Sequence, residues 1–461
     1  MTLTLVLPEA LTSTVEGAAR EGLERAGVIL ATYVDSPNGD RRLLGRQIAM
    51  VEDHAYIARH VDHLSIASSG YVAALGEAER LGAVPIWFHT HPGEQGVPLP
   101  SRADRIVDQE ISDLFRLRSR APFYGALIVS PRPRGLAFSG ALYPETGEPQ
   151  LIERLWRVGD DWRLTRAYDA PGEALSDIFD RNVRAFGAGV QAALGDLRVV
   201  IVGCGGTGSA VAEQLVRLGV RRLLLVDADT LSASNVTRVY GSTPRDIGRP
   251  KAEVLRDHLT AIAPDLRCDV LNGMITMEAA ARGLLGHDLV FGCTDDNAGR
   301  LVLSRLASYL LTPVIDVGVL LSSDAAGVLT GIDGRVTVLS PGSACLVCRD
   351  RVDLARAAAE LRTPEERRRL EDEGYAPALR GVEPAVVAFT TAVASAAVNE
   401  LLERLVGYGP SPRPTEVLLR LHEREISTNR APPRPHHYCH PDSHKLGAGP
   451  CHPFLEQTWP T

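Results

Sequence analysis

The stretch Arg198-Val-Val-Ile-Val-Gly203-Cys-Gly205-Gly206-Thr-Gly208 decides how the chain is read. Its run of β-branched residues predicts a buried strand, and the glycines that follow predict a tight turn into a helix. Glycines at such a turn let the backbone approach a phosphate, while the helix N-terminus supplies amide donors and a positive dipole end. A helix over 207–218, closed by Gly219, and a second strand over 221–226 come next. This succession predicts an α/β fold with a parallel, doubly wound sheet. Asp227 ends the second strand, where an acidic side chain binds ribose hydroxyls. Up to this point a nicotinamide dehydrogenase would be served equally well.

The flanking residues separate the two. Asp227-Ala-Asp229 leads into Ser234-Asn235-Val-Thr-Arg238 and then Asp246-Ile-Gly-Arg-Pro-Lys251. A third strand over 288–293 ends in Thr294-Asp295-Asp296-Asn297, with Arg300 on the next helix. A dehydrogenase has no use for Asn235, Arg238 and Lys251. In order and spacing the set resembles the ThiF/MoeB and ubiquitin-activating-enzyme (E1-like) superfamily across about residues 175–430. The resemblance implies a Rossmann-like adenylating domain in which Gly203, Gly205, Gly206, Gly208, Asp227 and Asp229 hold ATP. It puts Asn235, Arg238 and Lys251 on the triphosphate and Asp295 on Mg²⁺. Attack by a carboxylate on an α-phosphate brings two anions together and expels pyrophosphate, so cations there neutralise charge as it develops. Arg181-Asn-Val-Arg184 is similar to the family's lead-in helix, which implies that Arg184 reaches the ATP of a partner subunit in a homodimer. Taken singly, Asp295 or Asp296 reads equally well as a helix cap, and Lys251 as a solvated lysine. One departure is Arg238-Val239, where the family has Arg-Gln.

Nearer the N-terminus, Phe88-His89-Thr-His91-Pro92 closes a strand expected over 83–89, after a helix over 70–81. Pro100-Ser101-Arg-Ala-Asp104 opens another helix. Alternate strand residues face one side, so His89 and His91 can grip one metal. A catalytic zinc site keeps three protein ligands and an open position, and Asp104 would complete the three. This resembles the JAMM (JAB/MPN+) metalloprotease family over residues 1–145, and implies catalytic Zn²⁺. Glu24, in Glu24-Arg-Ala-Gly27, would be the general base and Ser101 would help stabilise the oxyanion. Nine residues separate His91 from Ser101, slightly more than the family's usual spacing. Ser101-x-x-Asp104 also fits a helix-capping box.

Cys345-Leu-Val-Cys348 follows a run over 328–339 that reads as a hairpin turned at Asp333-Gly334. In the resembled superfamily such a pair joins a second one to bind structural zinc. Here Cys439-His-Pro-Asp442 carries Asp at the last position, leaving Cys345, Cys348 and Cys439 as ligands and His440, His444 or Cys451 for the fourth. Cys204, Cys268 and Cys293 read as core thiols. No cysteine lies between Arg349 and Pro435, where many relatives place a thioester nucleophile.

The whole chain has 461 residues, which suggests more than one core, and its 45% hydrophobic and 23% charged content is that of a soluble globular protein. The net charge of −8 argues against nucleic acid as a partner. Met1 to Leu11 lacks the basic start of a signal peptide. The apolar run 385–398 is too short to span a membrane and reads as a buried helix. The odd cysteine count of seven fits a reducing cytoplasm. The expected organisation is a JAMM-like domain over 1–145, a linker over 146–174, the adenylating domain over 175–430 and a Pro/His-rich tail over 431–461, with connector strands and helices from about 150 to 195. Between them, 351–375 reads as a charged helical insert starting at Thr363-Pro364, with Arg367-Arg-Arg369 on a solvated face.

Joined in one chain, the two resemblances imply adenylation of the C-terminal glycine of a ubiquitin-like protein, coupled to zinc-dependent processing or removal of that protein, with a conjugating enzyme downstream. Activation of a sulfur carrier for cofactor or metabolite biosynthesis is the alternative, and an inactive JAMM scaffold that binds a ubiquitin-like partner is a third.

Overall fold

Leu3, Leu5 and Leu7 enter one core along the first strand while Thr4 and Val6 between them are buried too, and the same period recurs in Val84, Ile86 and Phe88. Such alternation builds a sheet with two distinct faces. The computed structural model describes residues 1–61, 64–93, 96–167, 177–362, 366 and 385–460. They form two units, Met1–Ala174 with Gly447–Gly449, and Leu175–Leu446 with Pro450–Thr461.

The first unit runs β1 (Leu3–Pro8), α1 (Glu9–Ala19), β2 (Ala26–Asp35), β3 (Arg41–Met50), β4 (Tyr56–Arg59), β5 (Leu64–Ile66), α2 (Ser69–Leu81), β6 (Val84–Thr90) and α3 (Arg102–Ser119). It continues with β7 (Phe123–Pro131), β8 (Leu136–Pro144), β9 (Gln150–Val158) and β10 (Arg163–Arg166). The main sheet has the order β1-β3-β2-β6-β7-β8-β9-β10, and β1 also pairs in parallel with β9, which closes the sheet on itself. One face packs Val15 and Ala19 of α1 against the leucines of β1, and the other packs α2 and α3 around Trp87, Phe115 and Tyr124. The buried strand β6 lies between β2 and β7 and carries His89 at its end.

Residues 150–166, expected to supply connector strands, are strands of this sheet. Ile152, Leu155 and Trp156 are buried in it, while Glu153, Arg154 and Arg157 beside them obscure its apolar pattern in the sequence.

The second unit contains α4 (Asp180–Phe186), α5 (Ala188–Asp196), β11 (Arg198–Val202), α6 (Gly206–Leu218), β12 (Arg222–Val226), α7 (Lys251–Ile262), β13 (Arg267–Leu271) and α8 (Glu278–Gly283). Then come β14 (Leu289–Gly292), α9 (Asn297–Tyr309), β15 (Val314–Ser323), β16 (Leu329–Leu339), α10 (Leu354–Glu360), α11 (Val387–Val406), β17 (Glu416–Arg420) and β18 (Glu425–Asn429). The sheet order is β13-β12-β11-β14-β15-β16-β17-β18. Strands β11 to β15 are mutually parallel, as expected, and β16 to β18 extend the sheet by antiparallel pairing. Strand order reverses at β11, and such reversals open a crevice at the carboxyl ends of the strands.

The glycine turn fits this crossing. Gly203 has φ +91°, and a Cβ there would lie 2.6 Å from the Cys293 carbonyl oxygen. At Gly208 a Cβ would overlap the Gly203 carbonyl, so only glycine lets α6 sit this close to its strand.

Asp333-Gly334 is not a turn. Both residues lie within β16, and the chain reverses at Asp324–Val328. Gly334 is required for packing: a Cβ would collide with Val393 on α11. The buried helix expected over 385–398 is α11, which runs on to Val406 because its charges satisfy each other internally, Arg404 donating to Glu400 at 2.8 Å. Among the described residues no helix is long and apolar enough to cross a membrane. The Pro/His-rich tail buries Cys439, Phe454 and Leu455 and is tied to α9: Arg305 donates to the Leu455 carbonyl at 2.7 Å. The Thr363-Pro364 helix start and Arg367-Arg-Arg369 fall outside the described residues.

Candidate functional site

A cavity of about 790 Å³ opens where strand order reverses in the second unit. Gly203, Gly205 and Gly206 form one wall, and Asp227, Asp229, Arg238, Lys251 and Asp295 also line it. Two residues expected here, Gly208 and Asn235, are absent from the lining. Gly208 serves helix packing. Asn235 is buried, and its Oδ1 accepts the Ser232 N–H at 3.2 Å, closing a short turn. Arg184 lies on α4, 78% exposed, paired with Asp180 at 2.9 Å.

Hydrogen bonds hold the acidic groups in place. The Asp227 carboxylate accepts the Cys204 N–H at 2.6 Å and the Asp229 N–H at 2.8 Å. Burial raises its pKa, against those donors and Lys251. Lys251 opens α7 and donates to Asp229 Oδ2 at 2.7 Å. Both neighbouring aspartates line the cavity. Asp296 also caps α9 through the Gly299 N–H, a cap in which Asp295 takes no part. The cleft therefore combines a helix N-terminus, two cations and a carboxylate suited to a divalent cation.

Sequence reasoning missed the far wall, built by Val317 to Leu320, Arg335, Arg351, Arg356 and Thr390. These residues belong to no local motif. The β15–β16 pairing and the packing of α10 and α11 bring them to the glycine turn.

In the first unit, His89, His91 and Asp104 offer ligand atoms within 4.8 Å of one another. His89 Nε2 is 3.2 Å from His91 Nε2 and 3.3 Å from Asp104 Oδ1. Bonds of ~2.0 Å at tetrahedral angles put ligand atoms about 3.3 Å apart, so two of the three separations suit one zinc. The third, His91 Nε2 to Asp104 Oδ2, is 4.0 Å. Glu24 Oε1 is 3.9 Å from His91 Nε2, on a buried side chain. Ser101 and Asp104 also form the capping box of α3: Ser101 Oγ accepts the Asp104 N–H at 3.1 Å, and Asp104 Oδ2 accepts the Ser101 N–H at 2.7 Å. Capping and ligation are thus compatible, since the cap leaves Asp104 Oδ1 directed at His89. Burial alone would raise the Asp104 pKa, but His89 and Ser101 hold it well below the usual carboxylate range.

The cysteine cluster is completed by a residue the sequence did not single out. His437 Nδ1 lies 3.6 Å from Cys345 Sγ, 3.4 Å from Cys348 Sγ and 3.2 Å from Cys439 Sγ. The Cys348 and Cys439 sulfurs are 3.6 Å apart. Zn–S bonds of ~2.3 Å in a tetrahedron separate sulfurs by about 3.8 Å, so this set matches a Cys₃His site. His440, His444 and Cys451 are not in the group. The readable signal was His437-x-Cys439, adjacent on one turn. A hydrogen bond from Cys439 lowers the Cys345 thiol pKa.

The ThiF family model matches residues 179–440, more than half the chain. The molybdopterin-synthase adenylyltransferase of Escherichia coli (strain K12) is 34% identical over 172 residues, covering 37% of this chain and 65% of that protein. The sulfur carrier protein ThiS adenylyltransferase of the same organism is 34% identical over 151 residues, 33% of this chain and 56% of the other. Ubiquitin-like modifier-activating enzyme 5 of Oryza sativa subsp. japonica is 32% identical over 167 residues, with coverages of 33% and 38%. The chain spans less than two thirds of each of these relatives. Among solved structures, E. coli MccB with ATP aligns with a TM-score of 0.45 at 18% identity, covering 57% of this chain and 74% of that one. The family pattern over 179–440 takes in every residue lining the cleft of the second unit, and the chain belongs to the ThiF family.

Proposed function

We propose that the second unit uses ATP and Mg²⁺ to adenylate the C-terminal glycine carboxylate of a ubiquitin-like or sulfur-carrier protein. The observation that carries this is the convergence of the glycine turn, Arg238, Lys251 and Asp295 on one cleft. A carboxylate oxygen of the carrier forms a bond to the α-phosphorus, and the bond from that phosphorus to the bridging oxygen breaks, with its electrons leaving on pyrophosphate. Arg238 and Lys251 counter the charge of the departing phosphates, Asp227 orients the ribose, and Asp295 would hold the Mg²⁺, which neutralises phosphate charge. Arg184, on the surface, would serve the nucleotide of a second copy.

The first unit is read as a JAMM-type zinc peptidase that trims or removes the same carrier. His89, His91 and Asp104 would hold the zinc, which supplies a water of lowered pKa. Glu24 would take the proton from that water. Ser101 Oγ accepts in the helix cap, which leaves its own proton to donate to an oxyanion. The Cys₃His group would hold a structural zinc.

Sulfur transfer rather than protein conjugation is favoured by one observation: no cysteine lies between Arg349 and Pro435 to take the acyl group. The test is ATP–pyrophosphate exchange with E. coli ThiS and with any small protein ending in Gly-Gly encoded beside this gene. Carrier-dependent exchange is expected, and its absence with all of them would refute adenylation. Recovery of a thiocarboxylate, rather than a lysine conjugate, would separate the two branches.

A further inference from the structure

We propose that Arg335 and Arg300, braced on the buried Asp316, form the seat for the terminal carboxylate of the acyl donor; the assignment rests on the adenylation reading above. Register fixes their place. Val202 of β11 pairs with Gly292 of β14, and Gly292 pairs with Asp316 of β15. At the carboxyl edge of the sheet, the Gly203 turn, the Cys293–Asp295 segment and Val317–Gly318 therefore lie side by side. Strands are spaced ~4.8 Å apart, so Gly318 stands about 10 Å from the glycine turn, with Asp295 between them. An acyl donor entering over β15 would meet a nucleotide held over β11.

The side chains there make an anion site. Asp316 is 0% exposed, and its Oδ2 is 2.9 Å from Arg335 Nη2 while Oδ1 is 3.5 Å from Arg300 Nε. Two guanidiniums thus share one carboxylate and carry a surplus positive charge. Neither Nε has a hydrogen-bond partner among the described residues. A charge held in a largely dehydrated wall is costly unless an anion answers it.

Gly318 leaves the seat open. A Cβ there would lie 3.4 Å from both Arg300 Nη2 and Arg335 Nη2, so glycine keeps a gap flanked by two guanidinium ends. Arg351, on the same wall, is already committed to Glu416 at 2.9 Å. A planar guanidinium matches a carboxylate through paired N–H donors, which fixes the direction of the attacking oxygen as well as its charge. Arg238 and Lys251, nearer the glycine turn, are placed for the phosphates instead.

The experiment is ATP–pyrophosphate exchange by the full chain with E. coli ThiS as probe. In Arg335→Ala the KM for ThiS is expected to rise roughly ten- to hundredfold, the range for a lost charged hydrogen bond. The KM for ATP and for pyrophosphate, and binding of a non-hydrolysable ATP analogue, should stay within about twofold of the unaltered protein, as an undisturbed nucleotide half requires. Arg335→Lys should fall between the two, keeping charge without the fork. Gly318→Ala, which sets a methyl in the gap against both guanidinium ends and leaves both arginines in the chain, should raise the ThiS KM independently. ThiS ending in a carboxamide should bind the unaltered protein more weakly than ThiS with its free carboxylate does, and Arg335→Ala should lose that discrimination. A raised pyrophosphate KM with an unmoved ThiS KM would assign the pair to the leaving group and overturn the proposal. An Arg335→Ala protein with unchanged constants would also overturn it. Absence of exchange by the unaltered protein would remove the adenylation reading, and this assignment with it.

Discussion

Lys251→Ala separates a reacting cation from a surface lysine. The Lys251 side chain is 12% exposed and its partner Asp229 is 69% exposed, so their 2.7 Å pair is half in water. Exposed or half-exposed ion pairs contribute ~0–1 kcal/mol. Lys251 is also the first residue of α7, where a cation opposes the helix dipole by roughly 0.3–1 kcal/mol. The two effects offset each other, and stability should change little. A shift in Tm of no more than a few degrees is expected, since 1 kcal/mol moves a domain of this size by roughly 2–4 °C. The transition state tells a different story. A preorganised donor aimed at developing charge is worth about 2.7–4 kcal/mol, or roughly 10²–10³ in rate. Carrier-dependent ATP–pyrophosphate exchange should therefore fall by two to three orders of magnitude, on the order given by that same term, while thermal denaturation followed by circular dichroism barely moves. Exchange within threefold of the unaltered protein would refute the assignment of Lys251 to the phosphates. A large loss of Tm that accounted for the lost activity would return Lys251 to a structural role.

His437→Ala should lose one bound zinc and the thermal stability of the second unit, while His440→Ala should keep the metal; elemental analysis alongside a melting curve checks both. Asp104→Asn should lose the metal of the first unit and its peptidase activity, whereas Ser101→Ala should retain metal and cost roughly 1 kcal/mol as a lost helix cap. Glu416, 1% exposed, suffers burial that would raise its pKa, yet Arg351 and Asn429 lower it from 4.5 to about 2. A carboxyl lowered on folding contributes its stability above the unfolded pKa and loses it as pH falls through the folded one. The full contribution of about 3 kcal/mol should be present above about pH 5 and lost towards pH 2. Urea unfolding of Glu416→Gln at pH 7 and pH 3 should show a smaller difference between the two pH values than the unaltered protein does; an equal difference would refute the linkage.

How much of the fold was legible depended on whether the pattern was local. The β11–α6 turn declares itself because glycine positions, an apolar strand and a helix stop at Gly219 all sit within one short segment. Strand β9 declares itself less clearly, because its partner β1 lies at the other end of the unit and the arginines beside its buried residues obscure its apolar pattern. Gly334 misleads for a related reason. Asp-Gly is a turn signal in isolation, but here the glycine answers to Val393 on a helix far along the chain, a constraint no local window contains.

The sites follow the same rule with one addition. Residues whose chemistry depends on neighbours within a few positions were found: His89 with His91, Cys345 with Cys348, Asp227 with Asp229. Asp104 reads as a cap and as a ligand, and its geometry is compatible with both: one carboxylate oxygen caps α3 and the other faces His89. Of Asp295 and Asp296, which both line the cleft, only Asp296 also caps α9. What escaped were residues supplied by antiparallel pairing on the far side of the cleft, above all Arg335 opposite Gly318. A motif records the half of a site that one crossover builds. The far half of this cleft is assembled from strands added later in the chain, out of reach of any local motif.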